Sequence, residues 1–159
     1  MKYSIAEAIS RYDKTMLQLD SESAEVRREA AAWAQYALCG RLSPAKAGVL
    51  ADKLAEKLRL IVNGHAEPVE KCEYVRESCA YGIELAAQFT DVSRHRATLE
   101  MSRDRDPHEW VREAASEALS TAGIVSSSPP LPPPVRFTTR TIPSPDAKRP
   151  AAGPLRAFE

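Results

Sequence analysis

A Val-Arg pair followed by small residues occurs three times along the chain. The copies are Val26-Arg27-Arg28-Glu29-Ala30-Ala31, Val75-Arg76-Glu77-Ser78-Cys79-Ala80 and Val111-Arg112-Glu113-Ala114-Ala115-Ser116. Val75 follows Val26 by 49 residues, and Val111 follows Val75 by 36. A phrase returning at such intervals marks supersecondary units that cannot bury an apolar face alone. Stacking such units gives them a continuous core. The expected fold class is therefore all-α, with about six helices paired into three repeats.

The third copy has the fullest flanks. Asp106 can accept backbone N–H bonds as N-cap, Pro107 suits the first helical position, and Glu109 can reach back to the cap. The expected helix runs through Trp110–Leu119 and stops near Gly123, which tolerates a left-handed C-cap. Upstream, Ile5, Ile9, Tyr12, Met16 and Leu19 share a helical stripe. Ser21 or Ser23 caps a second helix that buries Val26, Ala30, Trp33, Ala34 and Ala37 and ends at Gly40. Ser43-Pro44 opens a third, with Leu50, Leu54, Leu58 and Ile61 on its apolar edge and a break at Asn63-Gly64. Pro68 opens a fourth, which presents Val69, Cys72, Val75, Cys79, Ile83 and Ala86. A weaker fifth covers Val92–Met101, with Val92, Leu99, Ala97 and Met101 to bury. No window alternates apolar and polar residues as a strand would.

These copies resemble the second helix of a HEAT repeat. There an Asp, then Val-Arg, paired alanines and a final Ala-Leu recur. The resemblance spans residues 1–123 and implies a three-repeat HEAT-like α-solenoid. It also implies a ladder between neighbouring repeats, built from an acid and an Arg six residues later. Asp106 and Arg112 have that spacing, as do Glu70 and Arg76. The first copy departs, with Ser21 six residues before Arg27.

Composition changes after Gly123, where residues 124–159 hold nine of the twelve prolines. Proline at that density cannot supply helix or sheet hydrogen bonds, so a disordered tail is expected. Pro129-Pro130-Leu131-Pro132 resembles WW-domain ligands, and the longer run resembles SH3 ligands. The chain has zero formal net charge, from 22 basic and 22 acidic residues. The tail carries five basic and two acidic side chains, leaving 17 basic and 20 acidic ones in residues 1–123. An acidic helical domain argues against a nucleic-acid footprint, which needs a basic stripe. No apolar stretch is long enough to span a membrane, and no signal-peptide core follows Met1. Three cysteines fit a reducing compartment, so the expected location is cytoplasmic.

Chemistry-bearing constellations are sparse. His65, His95 and His108 lack the paired ligands of a metal centre, and Cys72 and Cys79 read as small apolar core residues. HEAT-like deoxyhypusine hydroxylases hold two irons with four His-Glu pairs. Here one contiguous pair, His108-Glu109, precedes Val111. No metal or cofactor is expected, nor a nucleophile elbow or phosphate loop. The expected role is a non-catalytic adaptor that binds another protein. An enzyme on the same fold, such as a bilin-type lyase, or a bacterial immunity or inhibitor protein are the alternatives. In HEAT-like stacks the second helices line the concave face. The positions one before Val and six after it are Glu25 and Ala32, Tyr74 and Tyr81, then Trp110 and Glu117. The expected binding residues are Tyr74, Tyr81 and Trp110 with Glu77, Glu113 and Glu117. Packing of these rings between repeats as core is the competing reading.

Overall fold

The structure is a computed structural model that describes residues 4–40 and 42–123. The proline-rich stretch, with its expected disorder and its WW- or SH3-like motifs, lies outside the described residues. Seven α-helices and one hairpin make up the described part. They are α1 (Ile5–Ser10), α2 (Tyr12–Gln18), α3 (Ala24–Cys39), α4 (Pro44–Leu58), β1 (Leu60–Asn63), β2 (His65–Pro68), α5 (Glu73–Ala86), α6 (Arg96–Arg105) and α7 (Glu109–Thr121). A 3₁₀ turn, Ser93–His95, precedes α6. No helix among the described residues is long and apolar enough to cross a membrane.

The all-α reading holds, and the helices form two layers. The three Val-Arg helices make one row, α3 against α5 and α5 against α7. The other layer covers them: α1 and α2 lie on α3, α4 on α5, and α6 on α7, with α4 also touching α6. Small residues permit the close approach. Ala30, Cys79 and Ala115, each four residues after its Val, are fully buried, as are Val75 and Val111. Val26 departs from expectation and is half-buried, because among the described residues α3 has no helix of the row on its far side.

Several local expectations are corrected. The first stripe is two helices rather than one, since Arg11 leaves helical geometry at φ −93°, ψ 9°. Gly40 explains why α1 lies where it does: a Cβ there would fall 2.5 Å from Ile5 Cγ2 and 2.6 Å from Ile9 Cδ1. The helical break at Asn63-Gly64 is instead the tip of an antiparallel hairpin, with Ile61 opposite Glu67 and Val62 opposite Ala66. Gly64 turns the chain at φ 80°, a conformation that glycine adopts without steric cost. Ile61 thus leaves the helical edge for an exposed strand, and Pro68 ends β2 instead of opening α5. Cys72 is the N-cap of α5 and Val69 is exposed. In the weak fifth helix Val92 and Leu99 are buried, while Ala97 and Met101 face solvent. The N-cap of α7 is His108, not Asp106.

Candidate functional site

One hydrogen-bond pattern sets the start of every Val-Arg helix. Arg27, Arg76 and Arg112 are each the fourth residue of their helix. Each turns Nη1 back to the backbone carbonyl six residues earlier: Ser21 at 2.7 Å, Glu70 at 2.9 Å and Asp106 at 2.7 Å. The side chain at that earlier position accepts from the N–H two residues on, at Ser23, Cys72 and His108. The first two arginines also reach the next unit with a two-pronged grip. Arg27 donates from Nε and Nη2 to the Glu70 carboxylate at 2.6 and 2.9 Å. Arg76 does the same to Asp106 at 2.8 and 3.0 Å. Planar bidentate pairing suits guanidinium to carboxylate and fixes relative orientation as well as distance.

This ladder holds the three helices in one register. The within-unit link runs through a backbone carbonyl, so Ser21 serves as well as an acid there. Burial alone would push the Glu70 carboxyl up in pKa. The Arg27 fork and the Cys72 N–H outweigh burial and hold it below the usual carboxylate range.

The register brings part of the expected surface together. Tyr74 on α5 and Trp110 on α7 have ring centroids 6.2 Å apart, and they are 41% and 49% exposed. They are a surface pair, not a core pair. The His108 ring lies 4.9 Å from Trp110, and the Arg28 guanidinium sits 4.5 Å over the Tyr74 ring. Beside Tyr74, an open groove of about 530 Å³ runs between α3 and α5, lined by Glu25, Arg28, Glu29, Ala32, Glu77 and Ser78. Glu25, Ala32 and Tyr74 occupy the stripe positions named from spacing, so that stripe does line one groove. Glu113 and Glu117 are exposed on α7, and Glu77 is half-buried.

Tyr81 lies two turns beyond Tyr74 and is half-buried rather than part of the exposed pair. Burial, then the charges of Glu117 and Glu77, hold its hydroxyl above the ordinary phenol range. Arg28 and His108 were not foreseen as members of this face. Both stand outside the two stripe positions that the Val-Arg spacing names, and no local motif announces a cation over a ring 46 residues away.

The histidines do not converge: His65 is on β2, His95 ends the 3₁₀ turn and His108 caps α7. Among the described residues no three His, Cys, Asp or Glu side chains are grouped so as to hold a metal ion. Cys79 is fully buried, and burial pushes its thiol up, away from the reactive thiolate.

His95 gives the domain a pH dependence. It is buried, and its Nε2 lies 3.0 Å from Asp52 Oδ1. Burial, with help from the Arg94 charge, holds its pKa below the ordinary 6.5, and Asp52 only partly opposes this. The unfolded chain therefore takes up the proton first. Stability is expected to be full above pH 6.5 and to decline as pH falls from there toward the lowered folded value. His95→Gln should flatten that part of the curve in denaturant titrations across the range. A wild-type curve already flat below 6.5 would contradict the assignment.

Comparison of the chain with family models, with curated proteins and with solved structures gave no match.

Proposed function

We propose that this chain is a non-catalytic interaction module of HEAT-like type, which binds a partner protein across the row of α3, α5 and α7. The observation that carries the reading is the Tyr74–Trp110 pair. Two large rings stand in contact and in solvent on neighbouring helices, at the edge of an acidic groove. Rings with polar tips bury much area at little entropic cost and recur as interface anchors. The recurring arginine ladder supports the HEAT-like part of the proposal, because it joins unit to unit as that resemblance implies. The acidic residues of the face favour a partner that presents basic side chains around an apolar contact.

Trp110→Ala is expected to weaken binding of the purified partner about tenfold or more, equivalent to roughly 1.4 kcal/mol. Its unfolding midpoint should barely change, since the ring is half in solvent. Tyr81→Ala should cost more stability than Trp110→Ala does, because Tyr81 packs against the core. Tagged wild-type chain supplies the partner, and calorimetric titration of both variants supplies the affinities. Unchanged affinity for folded Trp110→Ala would remove the aromatic face from the reading.

A further inference from the structure

The Tyr74–Trp110 face is the kind of aromatic surface that takes up a proline-rich strand with a basic residue beside it. The same chain carries such a strand. Pro129-Pro130-Leu131-Pro132-Pro133-Pro134-Val135-Arg136 has no acidic residue, and Arg140 follows. We propose that this segment docks in cis on the aromatic face and covers it until a partner displaces it. The inference rests on reading that face as a binding surface and names its resident occupant.

Three observations converge on the segment. The first is chemistry. Proline-rich segments favour a preformed extended helix and lay their rings on exposed aromatic side chains, at a small loss of conformational entropy. Tyr74 and Trp110 offer two such rings side by side, and His108 extends the platform behind Trp110. The second is charge. The exposed stripe of α7 that leads to Trp110 carries Glu113 and Glu117, and the groove beyond Tyr74 carries Glu25, Glu29 and Glu77. Among the described residues Arg28 is the one cation lining that groove, and its guanidinium already lies over Tyr74. Arg136 thus finds carboxylates on either side of the rings.

The third is reach. From Gly123 back to Trp110 the path along α7 is about 20 Å, at 1.5 Å per residue. Residues 124–128 extend at most about 18 Å. Laid back along α7 at full extension, residues 124–128 let the proline run start just short of Trp110 and cross it. At about 3.1 Å per residue, Arg136 falls roughly 20 Å further on, about two helix spacings along the row and over the groove. The tether is short enough for a high effective concentration and long enough to need no bending of α7.

The experiment uses the full chain. Its two indoles, Trp33 buried and Trp110 exposed, give two side-chain resonances in a ¹⁵N-labelled sample, told apart by Trp110→Phe. Replacing Pro130, Pro132 and Pro133 together by Ser is expected to shift the Trp110 indole and leave that of Trp33 in place. Arg136→Glu should shift Trp110 in the same direction, and raised salt should do so to a lesser extent. A synthetic peptide of residues 124–140, added to the triple Ser variant, should move Trp110 back toward its wild-type position. A Trp110 resonance indifferent to the proline substitutions overturns the proposal. So does a wild-type position that changes on dilution, which would place the segment on a second copy. No partner enters either arm. A failed shift therefore leaves the partner surface standing, and a partner indifferent to Trp110 leaves the cis contact standing.

Discussion

Asp106→Ala is expected to destabilise the fold by about 3–5 kcal/mol, although the residue lies in a loop between helices. Its carboxylate is fully buried and receives both prongs of Arg76, whose side chain is 3% exposed. Removing the acid strands a guanidinium that cannot reach water, and it also takes away the acceptor of the His108 N–H at the start of α7. Among the described residues Arg76 would keep only its bonds to the Glu70 and Lys71 carbonyls. Asp106→Asn is the sharper control: it preserves shape but not charge, so it should recover only part of the loss. Arg112→Ala should cost much less, because among the described residues Arg112 bonds only the Asp106 carbonyl and spans no further unit. Urea titrations of the three variants test the order. A cost for Asp106→Ala near that of Arg112→Ala would mean that the ladder positions the helices without stabilising them.

The ladder also shows what was legible in the sequence. The six-residue offset in Glu70/Arg76 and Asp106/Arg112 is readable, since it reflects a side chain folding back on its own helix start. The pairing across units is not readable from spacing alone. Arg27 meets Glu70 43 residues on, whereas Arg76 meets Asp106 only 30 on. The difference arises from what is inserted between helices, above all the Leu60–Pro68 hairpin. That hairpin had a signal, Asn63-Gly64 beside Leu60-Ile61-Val62, which is the strongest short-range hairpin mark. It was masked because Ile61 continues the apolar spacing of Leu50, Leu54 and Leu58. In the candidate site, the shared stripe of Tyr74 and Trp110 was readable from the repeat. Their exposure was not, because a ring on a helix face looks the same in sequence whether a neighbour covers it or solvent does. Tyr81 illustrates this: it has the same spacing rule as Tyr74 and a different burial.

Leu54→Ala is the second large effect, expected to cost about 2–5 kcal/mol. Leu54 is fully buried on α4 and projects into the space left by Gly82 on α5. A Cβ built on Gly82 would collide with Leu54 Cδ1 and would stand 3.8 Å from Leu38 Cδ1. Glycine in mid-helix costs about 1 kcal/mol relative to alanine, so its presence here has a packing reason. Gly82→Ala in the wild-type background should therefore destabilise on balance, with overpacking of about 1–3 kcal/mol exceeding the gain in helix propensity. In the Leu54→Ala background the sign should reverse. The new methyl group enters the cavity left by the lost leucine atoms, and the propensity gain is then realised without a clash. The double variant should thus be more stable than Leu54→Ala alone, with a coupling within the range of about 0.5–3 kcal/mol seen for residues in contact. Strict additivity across this cycle would mean that α4 and α5 relax apart to admit the methyl group. In that case the Gly82–Leu54 contact would not fix how the second pair of helices packs.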